Sequence, residues 1–255
     1  MPDTIILDAG HGGQEPGALF QGRREADDNL RLALAVGRLL QEDGFPVLYT
    51  RTEDVYQSPY EKAVIANNSG ADVLISFHRN STPEPETYSG VQTLVYQNQG
   101  LPAELAGNIN RALEEVGFAD NGISERPDLV VLRRTQMPAV LIETGYLNTA
   151  ADNQLFDERL DEIARAIADG IEETLGNSDM GAMEVRYQVQ TGAYAVRERA
   201  ERLQRRMRAE EIPACIVEED GLYKVRAGDF RYMENAVRLE QVLCSRGYPT
   251  FIVSR

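Results

Sequence analysis

The chain has 255 residues, enough for one large domain or two unequal ones, and its 42% hydrophobic content supports packed cores rather than disorder. Its formal net charge of −15 excludes nucleic acid as the main partner, which would need a basic footprint, and argues equally against electrostatic docking on an anionic membrane. No stretch approaches the roughly 18 consecutive apolar residues of a membrane span, and the opening Met1-Pro2-Asp3-Thr4 lacks the basic and apolar regions of a signal peptide, so none is expected.

Residues 4–8 form a short apolar run that leads into Asp8-Ala9-Gly10-His11-Gly12-Gly13, read as a buried strand with a glycine turn beyond its end. Apolar residues at helical spacing over 30–40 predict a helix that stops before Gly44, and 45–49 a second strand. A helix over 59–67 and a strand over 72–77 follow, the strand ending in His78-Arg79-Asn80-Ser81. Residues 90–96 read as a strand, 101–116 as a helix, 138–142 as a strand ending at Glu143, and 155–175 as one long amphipathic helix. Strands alternating with helices predict an α/β fold, a mostly parallel sheet flanked by helices.

Residues 176–184 are polar and glycine-containing and read as a linker, which divides the chain into domains 1–175 and 185–255. Beyond the linker lies an internal repeat. Tyr187-Gln188-Val189-Gln190-Thr191-Gly192-Ala193-Tyr194 recurs 36 residues later as Tyr223-Lys224-Val225-Arg226-Ala227-Gly228-Asp229-Phe230, and the same offset carries Pro213, Ile216 and Val217 onto Pro249, Ile252 and Val253. Each unit reads strand, helix, strand. Two such units are too few for a solenoid and suit a small ferredoxin-like α+β domain made of two βαβ repeats. Its two helices can cover one face of the sheet, leaving the other for a ligand. Alternation turns Tyr187, Val189, Tyr223 and Val225 toward the helices and Gln188, Gln190, Lys224 and Arg226 toward the open face. Cys215 and Cys244 read as two free, buried thiols.

Only two histidines occur, His11 and His78, each just past the end of a strand. Glu143 closes another strand, and Glu25 opens the first long helix. In open parallel sheets the C-terminal edge of the strands is where sites form, so one fold can gather all four there. Two imidazoles and a carboxylate are a known catalytic zinc set, and a carboxylate held off the metal can serve as general base. Spacing alone lacks a compact metal signature, and leaves open that these are polar strand ends with no metal.

Four ordered motifs bear on that choice. Residues 8–18, Asp-Ala-Gly-His-Gly-Gly-Gln-Glu-Pro-Gly-Ala, resemble the DPGHGGxDPGA opening of the amidase-3 family of zinc N-acetylmuramoyl-L-alanine amidases. Residues 25–30 resemble its EKDxxL segment, 71–80 its ADLxxSxHxN and 138–148 its PAxLxExGFxxN, with Thr50-Arg51-Thr52 and 126–129 fitting in order between. The resemblance spans about 3–175. It implies one catalytic Zn2+ held by His11, Glu25 and His78, with Glu143 as the catalytic carboxylate. The reaction implied is hydrolysis of the amide between N-acetylmuramic acid and the L-alanine of the stem peptide. Ala9, Ala26 and Phe77 depart from the family pattern without removing a ligand, and Lys62 stands where an arginine is common. Asp8 and Asn80 are candidates for hydrogen bonds to the imidazoles or for turn capping; Arg79 and Arg126 are candidates for binding stem-peptide carboxylates, with plain solvated arginines the better reading from sequence.

Residues 185–255 resemble the SPOR domain, whose pattern runs near YxVQxGxF and then YRVxxGPF. That resemblance implies a ferredoxin-like fold binding glycan strands stripped of stem peptides, with Gln188, Gln190, Lys224 and Arg226 as candidate glycan contacts. Peptidoglycan is thus the expected partner, and a monomer the expected state. Without a signal peptide, an enzyme made in the cytoplasm would reach the wall after lysis or by non-standard release, as a mother-cell or phage-type lysin does, unless the chain is a secreted mature form. Rival readings are an inert wall-binding module and a zinc peptidase cutting within the stem.

Overall fold

A computed structural model describes residues 2–176, 186–230 and 233–254. The chain divides into two compact units, Met1–Gly181 and Ala182–Arg255. The expected linker, apart from Gly176, lies outside the described residues.

In the first unit the elements run β1 (Ile5–Ala9), β2 (Leu19–Phe20), β3 (Arg23–Arg24), α1 (Glu25–Glu42), β4 (Val47–Tyr49), α2 (Pro59–Ser69) and β5 (Val73–Asn80). They continue with β6 (Val91–Val95), α3 (Gly100–Val116), β7 (Asp120–Glu125), α4 (Val130–Arg134), β8 (Ala139–Tyr146), α5 (Ala150–Glu158) and α6 (Leu160–Gly176). Six strands form one sheet in the order β4-β1-β5-β8-β6-β7. β4, β1, β5 and β8 are parallel, whereas β6 runs antiparallel to β8 and carries β7 parallel to itself. Every residue of β1 is buried, as expected of a central strand covered on both faces. Ile6, Leu74, Leu94, Ala139 and Leu141 point to one face and pack with Ala66 of α2 and Val131 and Leu132 of α4. By alternation the neighbouring residues of these strands face the layer containing α1, α3 and α6.

The sequence expectations differ from this in several places. Residues 155–175 are two helices, because Arg159 leaves helical geometry at φ −127°, ψ 29°, while its guanidinium donates to the Val116 carbonyl at the end of α3. The hairpin of β2 and β3, the strand β7 and the helix α4 were not anticipated; β7 reads Asp-Asn-Gly-Ile-Ser-Glu, a polar edge strand without apolar alternation. Helix α2 has weak amphipathicity and is fixed at its ends. Ser58 and Glu61 form a capping box, Pro59 opens the helix, and Gly70 closes it in the left-handed region at φ 75°.

The second unit contains β9 (Tyr187–Tyr194), α7 (Arg197–Ala209), β10 (Ala214–Glu219), β11 (Leu222–Phe230), α8 (Met233–Ser245) and β12 (Phe251–Ser254). Its sheet order is β10-β11-β9-β12, antiparallel throughout, which is the ferredoxin-like arrangement of two βαβ repeats. Val189 and Val225 are fully buried against Ala200 and Met207 of α7 and Ala236 and Leu243 of α8, with Tyr187 and Tyr223 packed at the margin. Cys215 and Cys244 are free, as expected, but exposed rather than buried.

Candidate active site

The loop after β1 is built so that side chains can crowd onto bare backbone. A Cβ on Gly10 would lie 2.3 Å from the His78 ring, and one on Gly17 would lie 2.5 Å from a Glu25 carboxylate oxygen and 2.7 Å from the His11 ring. The loop folds back through paired hydrogen bonds between Gly12 and Glu15, 2.8 and 3.1 Å long. His11 itself adopts φ 60°, a left-handed conformation that costs a non-glycine residue about 1–3 kcal/mol and persists only where the surroundings impose it. Glu25 arrives from the first position of α1, and His78 from β5.

These three residues meet. Glu25 Oε1 lies 2.8 Å from His78 Nδ1 and 3.1 Å from His11 Nε2, while Glu25 Oε2 accepts from the Ala18 amide at 2.9 Å. The two imidazoles stand edge to face with centroids 4.9 Å apart. Burial opposes charge at His11, but hydrogen bonds and charge from Glu25 and Glu15 outweigh it and raise its pKa to about 9. Burial likewise opposes ionisation of Glu25, yet the two imidazoles hold it well below the ordinary carboxylate range.

Glu143 stands directly opposite His78 in the β5–β8 register. Its Oε2 is sealed from solvent and has no hydrogen-bond partner. Burial, reinforced by the Glu25 charge and opposed by His78, pushes its pKa up to about 7. One edge of the sheet therefore holds an ionised carboxylate between two imidazoles and, beside them, a carboxylic acid near neutrality.

The donor set fits a metal ion. Atoms of His11, Glu25 and His78 lie within 4.8 Å of one another, a span that a zinc ion with bonds of about 2.0–2.2 Å bridges after small side-chain shifts. Two imidazoles and one carboxylate are a catalytic zinc set, and the bare backbone at Gly10 and Gly17 makes room for the two rings.

Around this cluster the remaining candidates separate. Asp8 does not touch an imidazole; it accepts from Thr50 at 2.6 Å and from Lys62 and Ser76 at 2.7 Å. Lys62 is buried, so the departure from the family's arginine is a structural support, bonded to Asp8 and to the Ala9 carbonyl at 2.6 Å, and not a substrate contact. Asn80 caps its own turn by accepting from the Ser81 amide. The residue that does grip an imidazole is Glu15, 2.5 Å from His11 Nδ1, which sequence reading passed over. Its signal was a carboxylate four residues after the histidine within the same glycine turn.

Arg79 corrects an expectation. It is only 2% exposed, bonded to Asp28 at 2.7 Å and Asn153 at 2.9 Å, and stacked over Phe156, so it lies behind the cluster rather than on its rim. Arg126 is exposed, forks onto Asp128 at 2.9 and 2.8 Å, and its charge acts on Glu143 without joining the cluster. In the second unit Gln188 and Arg226 are buried, Gln188 donating to the Gly228 carbonyl and Arg226 paired with Glu219. Gln190 lies beside Arg226, and Lys224 pairs with Glu219 and Asp220.

A buried carboxyl across from a three-donor cluster supplies a proton-transfer group beside a metal-competent site, an arrangement that fits the class of metal-dependent hydrolytic enzymes. Comparison with known proteins then fixes the family. The N-acetylmuramoyl-L-alanine amidase profile matches residues 5–173 and the SPOR domain profile residues 184–254. The chain belongs to the N-acetylmuramoyl-L-alanine amidase family and carries a SPOR domain. It is 32% identical over 222 residues, 85% of each chain, to the sporulation-specific N-acetylmuramoyl-L-alanine amidase of Bacillus subtilis (strain 168). It is 34% identical over 182 residues, 69% of this chain and 67% of the other, to the endolysin of Bacillus phage SPP1. The structure of the N-acetylmuramoyl-L-alanine amidase from Clostridium difficile 630 superposes with a TM-score of 0.65 at 33% identity, covering 71% of this chain and 99% of that one. The activity is that of a cell-wall amidase acting on peptidoglycan. Among the described residues no helix is long and apolar enough to cross a membrane.

Proposed function

We propose that this amidase is zinc-dependent, that His11, Glu25 and His78 hold the ion, and that Glu143 moves the proton during cleavage of the bond between N-acetylmuramic acid and L-alanine. The observation that carries the reading is the isolation of Glu143: a carboxyl with a sealed, unpartnered oxygen and a pKa pushed up to about 7, directly across from His78. Zinc bound at the three donors supplies Lewis acidity, which acidifies water and polarises a carbonyl. Glu143 takes a proton from the attacking water as the new carbon–oxygen bond forms. It returns that proton to the α-amine of L-alanine as the carbon–nitrogen bond breaks, so that the leaving group departs neutral. Glu15, by accepting from His11 Nδ1–H, would fix the tautomer whose Nε2 lone pair is free to hold the ion.

The division of labour follows the two units. Residues 1–175 form the catalytic domain, 176–184 the linker, and 185–255 a domain that targets denuded glycan strands through the sheet face away from α7 and α8. Gln190 and Lys224 are the more accessible of the four polar candidates on that face. The reading is tested on purified sacculi. Chelation should abolish solubilisation, and stoichiometric Zn2+ should restore it to the wild type but not to Glu143→Gln. Full activity after exhaustive chelation would refute the metal requirement.

A further inference from the structure

Thr50-Arg51-Thr52 fits the family pattern, yet the proposed chemistry gives Arg51 no task. Arg51 follows β4 and is 4% exposed. Its guanidinium spends its donors on main-chain carbonyls: Nε to Ala9 at 2.9 Å, Nη2 to Gly10 and to Ala26 at 2.9 Å each, and Nη1 to Glu53 at 3.0 Å. Gly10 immediately precedes His11, and Ala26 immediately follows Glu25. One buried cation thus bridges the two backbone segments that deliver His11 and Glu25. The loop closes over it, since a Cβ on Gly12 would meet Arg51 Nε at 3.1 Å and the Val55 carbonyl at 2.3 Å.

We propose that Arg51 is a positioning residue that fixes the separation of His11 and Glu25 and so preorganises the zinc site. The proposal rests on the zinc reading above. His78 needs no such clamp, because it sits within the β5 ladder. His11 and Glu25 lie outside the six-stranded sheet, on a turn and at a helix start. The helix start has no side-chain cap, and His11 holds a left-handed φ of 60° that its surroundings must impose. Ala9 is also held by Lys62 and Gly10 also receives Asn29 Nδ2, but among the described residues only the Arg51 side chain ties these carbonyls to that of Ala26. The planar fork matters. A lysine ammonium presents its donors from one point and cannot span these four carbonyls in the same fixed geometry.

The test measures Zn2+ affinity of the full chain by competition with a chromophoric chelator, and the thermal midpoint of the metal-free protein on the same samples. The variants are Arg51→Lys, Arg51→Gln and, as a control for lost stability alone, Leu113→Ala, a buried position on α3. Arg51→Lys is expected to bind Zn2+ about 10–100-fold more weakly than the wild type, while Leu113→Ala stays within about threefold even if its midpoint falls as far. Arg51→Gln, which leaves no buried charge, carries the same expectation and serves if Arg51→Lys does not fold. Wild-type affinity in the folded Arg51 variants, or an equal loss in Leu113→Ala, would overturn the proposal. Failure of the wild type to bind Zn2+ would instead sink the metal reading beneath it.

Discussion

Glu25 and Glu143 share one edge of a sheet, and their surroundings drive them in opposite directions. Two imidazoles keep Glu25 ionised, whereas burial without a hydrogen-bond partner for Oε2 lifts Glu143 to about 7. Divergent environments of this kind separate a permanent anion from a group able to take and return a proton. Glu143→Gln should therefore lower amidase turnover by about 10²–10⁴-fold, the usual yield of general acid–base catalysis, while leaving Zn2+ affinity near the wild-type value in a chelator competition. Asp8 makes a second prediction. Burial opposes its charge, but Lys62, Thr50 and Ser76 hold its pKa below the ordinary 3.8. Its contribution to stability is then complete above pH 3.8 and is lost as pH falls through 3.8 toward the folded value. Asp8→Asn strands the Lys62 ammonium in the interior and should cost about 3–5 kcal/mol at neutral pH. In urea unfolding, the gap between variant and wild type should narrow below pH 3.8. At this scale much was legible. With two histidines in the chain, strand-end positions singled out His11, His78 and Glu143, Glu25 stood at a helix start, and the local motifs pointed to the same four. Glu15 was missed because a glycine turn has no period to reveal which side chain folds back. Arg79 was misread because a cation beside a strand-end histidine looks exposed until Asp28 and Phe156 are seen to enclose it.

Elements with strong periodicity were read to within a few residues, and those without it were not. β1, β5 and β8 are apolar runs closed by polar residues, and α3 carries a regular apolar stripe. β7 is a polar edge strand, and α4 has only five residues, too few to show a helical repeat. The break between α5 and α6 falls at Arg159, an ordinary helix former whose side chain is claimed by Val116 and Glu162, a tertiary demand that local sequence does not display. Helix α2 shows the opposite case, since its boundaries are written in its caps. Ser58→Ala should remove the capping box and destabilise the protein by about 0.5–2 kcal/mol in denaturant titration, with the proposed zinc site intact. No measurable change would mean that packing of Ala63 and Ala66, not the cap, fixes the helix start.

At the scale of the molecule, each unit has its own sheet and its own buried cluster. The 36-residue repeat disclosed the second unit's fold directly, because each repeat is one βαβ half of it. Which polar side chains remain accessible there was not legible, since the cross-links of Arg226 and Lys224 to Glu219 depend on strand pairing. A chain ending at residue 180 should cleave soluble muropeptides at the full-length rate and no longer sediment with denuded glycan strands. Retained sedimentation would place glycan binding in the catalytic unit instead. The most direct test of the whole account is mass spectrometry of purified peptidoglycan digested with the zinc-loaded protein, with Glu143→Gln in parallel. The account predicts free stem peptides beginning with L-alanine in the wild-type digest and their absence with the variant. Shortened stems still joined to muramic acid, or equal release by both proteins, would contradict it.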